Sequence, residues 1–398
     1  MSVPRYSWIV LGYLFVMQAV IIGIGVYSFT FFVVPWMQAF STDRSTLMIA
    51  VSGSSIGTAI LSPLCGYLMD RFSNKRLLLF GATSYALCLL VISRVPDAWW
   101  LIMLYILVLP FGMVLAGSLM ASSMVARNFV DHRGLALGIS ALGVSVGGFI
   151  MPVLVTQLLN QHDWHTVFVY LAGIVLTLVI IPGLFIVRDG ERTADFSGSA
   201  SSQGVGVGLM MSPEVLKLGM AFFSPVLIFV AVLHNLGSLA VDYSIAQEHA
   251  AWMVSIASLV MAVSKLASGM LSDRFSHAVI YTGMLVSQIA GLIILGLFNT
   301  FSPVLIGVTL IAVGAGGSLP VITSYAATHW DSNSIGRVMG IIFAMAGLSG
   351  IGPIIAGVIR DLSGSYTLSF IALLLVMVPA AWSFLSLDKR PGASPIHG

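Results

Sequence analysis

Charge is what this sequence has least of. Only 8% of its 398 residues are Asp, Glu, Lys or Arg, while 58% are hydrophobic. A soluble domain carries about 25% charged residues, so this chain is not one. The formal net charge of +2 gives no basis for a nucleic-acid partner. Cysteine is almost missing too. Cys65 and Cys88 both lie in apolar runs and suggest neither a disulfide framework nor a metal site. His, Asp and Glu never gather at ligand spacing, and there is no phosphate-cradling glycine loop or nucleophile triad. These absences argue against an enzyme and call for no cofactor or metal.

What is present is apolar sequence in blocks. Stretches long enough to cross a bilayer fall near 8–35, 45–69, 77–94, 99–126, 134–159, 165–187, 216–241, 250–271, 278–298, 302–329, 336–360 and 366–387. The first, Trp8 to Pro35, is too long for the apolar core of a cleaved signal peptide and reads as a retained spanning helix. Forty glycines suit closely packed membrane helices. Short connections hold most of the charges, and an even number of spans puts both termini on one side. On that side lie Arg5, Arg71, Lys75, Arg76, Arg127, Arg133, Arg188, Arg192, Lys217, Arg274, Arg337, Lys389 and Arg390. The other side has Arg44, Arg94 and Arg360. The positive-inside rule places both termini in the cytoplasm, in a multi-pass protein of the plasma or inner membrane.

The longest connection, 188–214, contains "DFSGSASSQGVGVG" and reads as a flexible cytoplasmic linker. It separates an N-terminal six-helix bundle, 1–187, from a C-terminal one with a short tail, 215–398. The halves repeat: "GYLMDRFSNKR" begins at Gly66 and "GMLSDRFSHAV" at Gly269, each between the second and third helix of its half. The expected fold is therefore an all-α membrane protein of twelve transmembrane helices in two pseudo-symmetric six-helix bundles, the architecture in which one half rocks against the other.

With these motifs the sequence resembles the major facilitator superfamily over essentially its whole length; "GYLMDRFSNKR" looks like the signature of that superfamily between helices two and three. It is most similar to the branch of monocarboxylate porters and oxalate–formate antiporters. The stretches "RNFVDHRGLALGISALGVSVGGFIMP" (127–152), "GRVMGIIFAMAGLSGIGPIIAGVIRDLSGSY" (336–366) and "SKLASGMLSDRF" carry the finer likeness. The resemblance implies a central cavity, transport of small organic anions, often with a proton, and a monomer. The chain also departs from the branch. Animal members have a lysine in helix one after a Tyr-x-Phe stretch, whereas "GVYSFTFFVVP" has Tyr27 and Phe29 but no lysine. Helix eleven has no mid-membrane lysine either, so a monoanion suits the site better than a dianion.

Lys265 is the first candidate for binding substrate. Eight residues before the pair Asp273-Arg274, it stands about 12 Å inside a helix ending there, near the middle of a hydrocarbon layer about 30 Å thick. No Asp or Glu shares that depth, so its ammonium is read as the partner of a substrate carboxylate; the bland alternative is a structural cation that snorkels to the interface. His234 and Asn235 in helix seven could complete the site. His234 would titrate and pass a proton, or be satisfied by a backbone carbonyl near Gly237; both readings stand. Tyr27 could donate to a carboxylate or serve as an interface aromatic, and Gln18 reads first as a link between helices. Asp242 is a second proton-coupling candidate, although an acid at the interface is more often simply solvated. Asp70, Arg71, Arg127, Arg133, Asp273, Arg274 and Arg337 read as a cytoplasmic latch between the bundles. Gly138, Gly143, Gly147, Gly340, Gly347 and Gly350 are expected to let the bundles pack and slide.

The combined expectation is a secondary active transporter moving a small organic anion, a monocarboxylate by preference, with a proton and by alternating access. The alternative on the same fold is an exporter of drugs or other small molecules, although an exporter of cations would want the buried acid that this chain lacks.

Overall fold

The computed structural model describes residues 5–128, 133–188, 212–272, 274–329 and 335–388. All regular structure among them is helical. A backbone in hydrocarbon must satisfy its own hydrogen bonds, and in apolar blocks of this length only a helix does so. Among the described residues, twelve stretches are long and apolar enough to cross a membrane: α1 (Tyr6–Tyr27), α2 (Arg44–Ser62), α3 (Asn74–Ile92), α4 (Ala98–Val125), α5 (Gly138–Leu159), α6 (Trp164–Ile186), α7 (Pro213–Asp242), α8 (Gln247–Ser272), α9 (His277–Leu297), α10 (Phe301–Ala326), α11 (Ile341–Ser363) and α12 (Thr367–Leu387). They match the twelve apolar blocks of the sequence. Most of the 188–214 connection lies outside the described residues.

The first block departs from a plain helix. Its regular part, Arg5–Ile22, passes into a π turn, Gly23–Tyr27, and a bend at Ser28, after which the helix Phe29–Phe40 continues. The Ser28 hydroxyl donates to the Gly23 carbonyl at 2.9 Å and helps satisfy the widened turn. Small residues also set the approach of α5. A Cβ on Gly143 or Gly147 would run into the backbone carbonyl of Phe15 or Ala19. These two glycines therefore pack α5 on α1 within one sequence half, which corrects the expectation that they face the other bundle. Gly148 and Gly350 do meet residues of the other half, Ser258 and Ser55 respectively.

The repeated Asp-Arg-Phe-Ser motif builds the same device twice. Ser73 caps α3 by accepting from the Arg76 N–H at 3.3 Å, and Ser276 caps α9 by accepting from the Val279 N–H at 3.4 Å. Asp97 and Asp163 cap α4 and α6 likewise. A side-chain acceptor at this position satisfies N–H groups that the first helical turn leaves unpaired.

Packing divides the chain into two compact units. The first comprises 1–190, 231–259 and 350–366; the second comprises 191–230, 260–349 and 367–398. The core of the first is aromatic. Trp36, fully buried, stacks on Phe32 and Phe168 and meets Phe29 and Tyr105 edge-on. In the second, Tyr281 stacks on Phe384 at 4.2 Å and donates to the Ala221 carbonyl, while Gln288 donates to the carbonyls of Pro225 and Ile311.

Candidate functional site

Lys265 lies on α8, seven residues before the end of the helix at Ser272, and is half-buried. Its ammonium has no hydrogen bond or ion pair among the described residues. The neighbouring serines turn their hydroxyl protons to the backbone: Ser264 donates to the Val313 carbonyl at 2.6 Å and Ser268 to the Lys265 carbonyl at 3.1 Å. Lys265 belongs to the second compact unit, whereas Tyr27, His234, Asn235, Gln18 and Asp242 belong to the first.

Within the first unit, Tyr27 closes the π turn of α1. It is buried beside Ser258 of α8, within hydrogen-bonding reach, and its ring lies where a side chain on Gly148 would stand. His234 is buried on α7 with its ring edge-on to Phe29 at 5.8 Å. Its Nδ1 has no hydrogen-bond partner among the described residues, so no carbonyl satisfies that nitrogen. Three residues on, the Gly237 N–H donates to the Thr30 hydroxyl at 2.7 Å, and a Cβ on Gly237 would collide with the Thr30 carbonyl. The first and seventh spans thus cross in direct backbone contact beside His234. Gln18 is occupied: its amide donates at 2.7 Å to both the carbonyl and the hydroxyl of Ser140 on α5. The interhelical link anticipated for it is what the geometry provides.

Asn235 and Asp242 enter one network through Arg44, Arg360 and Tyr366, to which the sequence assigns no site role. Asp242, the last residue of α7, is held by two arginines. Arg360 of α11 grips it as a fork, Nε at 2.7 Å and Nη2 at 3.0 Å. Arg44, the first residue of α2, grips it with a second fork at 3.2 and 3.4 Å. Arg44 also donates to the Tyr366 hydroxyl at 3.1 Å, and Tyr366 donates in turn to the Asn235 carbonyl oxygen at 3.1 Å. The Asn235 amide donates to the Pro353 carbonyl at 3.2 Å. Burial pushes the Tyr366 phenol above its ordinary value of 10.0, so it keeps the proton that reaches Asn235. Asp242 is therefore not a merely solvated interfacial acid, a correction of the reading preferred for it. Arg44 and Arg360 are more than loop charges. A sequence signal for the pair did exist: with Arg94 they are the basic residues assigned to that side, and Asp242 is an acid at the same end.

Asp242, Arg44, Arg360 and Tyr366 gather at the end where odd-numbered spans turn into even-numbered ones. The expected latch at the opposite end is mostly out of view. Asp273 and the side chains of Asp70, Arg127, Arg133 and Arg337 lie outside the described residues. Arg71 is exposed with its guanidinium over the Tyr67 ring at 4.4 Å, and Arg274 is exposed.

Among the described residues, twelve apolar helices and a duplicated helix-turn device define a multi-pass membrane protein by form. The model of the Major Facilitator Superfamily matches residues 15–237 and 215–397, and the chain belongs to that superfamily of transporters. Monocarboxylate transporter 13 of Rattus norvegicus is 24% identical over 97% of this chain and 92% of that protein. Multidrug resistance protein MdtG of Serratia proteamaculans (strain 568) is 23% identical over 84% of this chain and 82% of its own. The uncharacterized MFS-type transporter YcxA of Bacillus subtilis (strain 168) is 29% identical over a shorter match, 45% of this chain and 43% of that protein. Among solved structures, a mutant form of the nucleoside transporter NupG superposes with a TM-score of 0.81 at 13% identity, covering 97% of this chain and 100% of that one.

Proposed function

We propose that this transporter carries a small organic anion, a monocarboxylate by preference, by secondary active transport with alternating access. The observation that carries the reading is Lys265, the one Lys or Arg of the membrane helix α8, an ammonium without a partner among the described residues. A cation in hydrocarbon is costly unless an anion accompanies it, and a substrate carboxylate supplies that charge. Within the first compact unit, His234, with its unpaired Nδ1, and Tyr27 are the candidate hydrogen-bonding groups. A proton travels with the anion, so that a monoanion moves without net charge, and His234 accepts it, or Asp242 once both arginine forks have released it. The two six-helix halves, 1–187 and 215–398, are the moving bodies of a monomer in the cytoplasmic membrane with both termini inside.

Reconstituted liposomes test this. Uptake of labelled short monocarboxylates should saturate, rise with an inward-directed proton gradient, and fall by more than about tenfold in Lys265→Ala, since removing one partner of a desolvated charge pair costs at least 2 kcal/mol or so. Equal flux in the variant would remove Lys265 from the site, and indifference to the gradient would remove the proton. A second reading, export of drugs, has one observation in its favour: the likeness to MdtG over most of the chain. It predicts efflux of lipophilic compounds without carboxylate flux.

A further inference from the structure

We propose that Arg44 and Arg360 form a second anion-binding site, distinct from Lys265, which takes the carboxylate of a small organic acid and which Asp242 fills as an internal surrogate in this structure. The proposal rests on the organic-anion reading and deepens it by assigning that reading a recognition site at the odd-to-even end.

Four observations point there. First, the Asp242 carboxylate receives two complete forks, from Arg360 at 2.7 and 3.0 Å and from Arg44 at 3.2 and 3.4 Å, the planar bidentate geometry with which guanidinium recognises any carboxylate. Secondly, donors exceed acceptors. Four contacts use the roughly four lone-pair directions of one carboxylate, whereas two guanidinium groups offer about ten N–H donors. Arg44 is only 5% exposed, and its Nε has no partner among the described residues. Thirdly, the neighbouring acid acts on Arg360 only through space. Asp361 accepts from the Ser45 backbone N–H at 3.0 Å and pairs with neither arginine among the described residues. Fourthly, a cavity of about 190 Å³ adjoins the cluster, lined by Asp242, Tyr243, Arg360, Gly364, Ser365 and Tyr366. There is room beside the Arg360 fork for the tail of a short acid.

Asp242 is tethered, so it competes with free carboxylate at an effective concentration in the millimolar range or above. It sits at the very end of α7, and a change in that helix end would withdraw it from both forks together. The arginines would then accept an anion from solution, and the returning aspartate would drive it out again.

The test uses full-length detergent-purified protein in the Lys265→Ala background, which removes the first candidate site. Propionate is titrated calorimetrically at fixed ionic strength, with neutral, isosteric propionamide as control. Asp242→Asn should bind propionate at least about tenfold more tightly, as expected when a tethered competitor is lost, while propionamide shows no gain. Adding Arg360→Gln should abolish the gain. Equal affinity with and without Asp242→Asn overturns the proposal, as does a gain that survives Arg360→Gln or is matched by chloride at the same concentration. Should Asp242→Asn fail to fold, Lys265→Ala protein serves by itself. Propionate should slow modification of Arg360 by phenylglyoxal, read by mass spectrometry, and the absence of protection refutes the site. Failure of the transport reading shows separately, as absent carboxylate flux in wild-type liposomes with this binding intact.

Discussion

Two polar residues within the spans have opposite fates. Gln18 is fully engaged by Ser140, whereas Lys265 is engaged by no described residue. Gln18→Leu should therefore lower thermal stability by roughly 0.6–1.7 kcal/mol, the range for hydrogen bonds between membrane helices, and leave carboxylate affinity unchanged. Lys265→Ala should do the reverse, since nothing described leans on its head group. Gly237 provides a steric test. Its helix touches Thr30 backbone to backbone, so Gly237→Ala forces the two spans apart and should cost about 1–3 kcal/mol, read as a lower unfolding midpoint. The sequence displayed Lys265 plainly, because one cation in an apolar run is conspicuous by itself. It could not display the grip on Asp242. Arg44 and Arg360 stand 198 and 118 residues away from that acid, and a single charge at a helix end looks the same whether it is paired or hydrated.

At the scale of elements, hydropathy alone located the twelve spans, because a bilayer of fixed thickness demands apolar stretches of fixed length. The π turn at Gly23–Tyr27 was not legible. Its residues are as apolar as their neighbours, and the widened turn is supported by Ser28 and by the close approach of Gly147. The repeated motif was legible as a repeat, but only the structure gives its two serines a task. Ser73→Ala and Ser276→Ala should each cost about 1 kcal/mol as lost helix caps. The double variant should lose close to the sum, since the two caps lie in separate compact units. Asp163 makes a pH-dependent version of the same cap. The Thr166 backbone N–H holds its carboxyl below the ordinary value of 3.8. A lowered value in the folded state means that the cap contributes above the unfolded value and is lost as pH falls through the folded one. Asp163→Asn should flatten that acid dependence, read from unfolding midpoints below about pH 4.

For the whole molecule, the orientation read from Lys and Arg is a prediction that labelling can check. Single cysteines placed at the exposed positions Asp97 and Asp163, in a background lacking Cys65 and Cys88, should react with an impermeant maleimide from outside intact cells. A cysteine at exposed Arg274 should react only after the membrane is opened. The aromatic core of the first unit has a practical consequence. Trp36 is fully buried among Phe29, Phe32, Tyr105 and Phe168, close along the chain to Thr30 at the helix crossing. A protein keeping Trp36 as its single indole thus carries an optical gauge of that end. Its emission would be blue and shielded from aqueous iodide while the rings stay packed, and would turn red and quenchable whenever turnover lets water in.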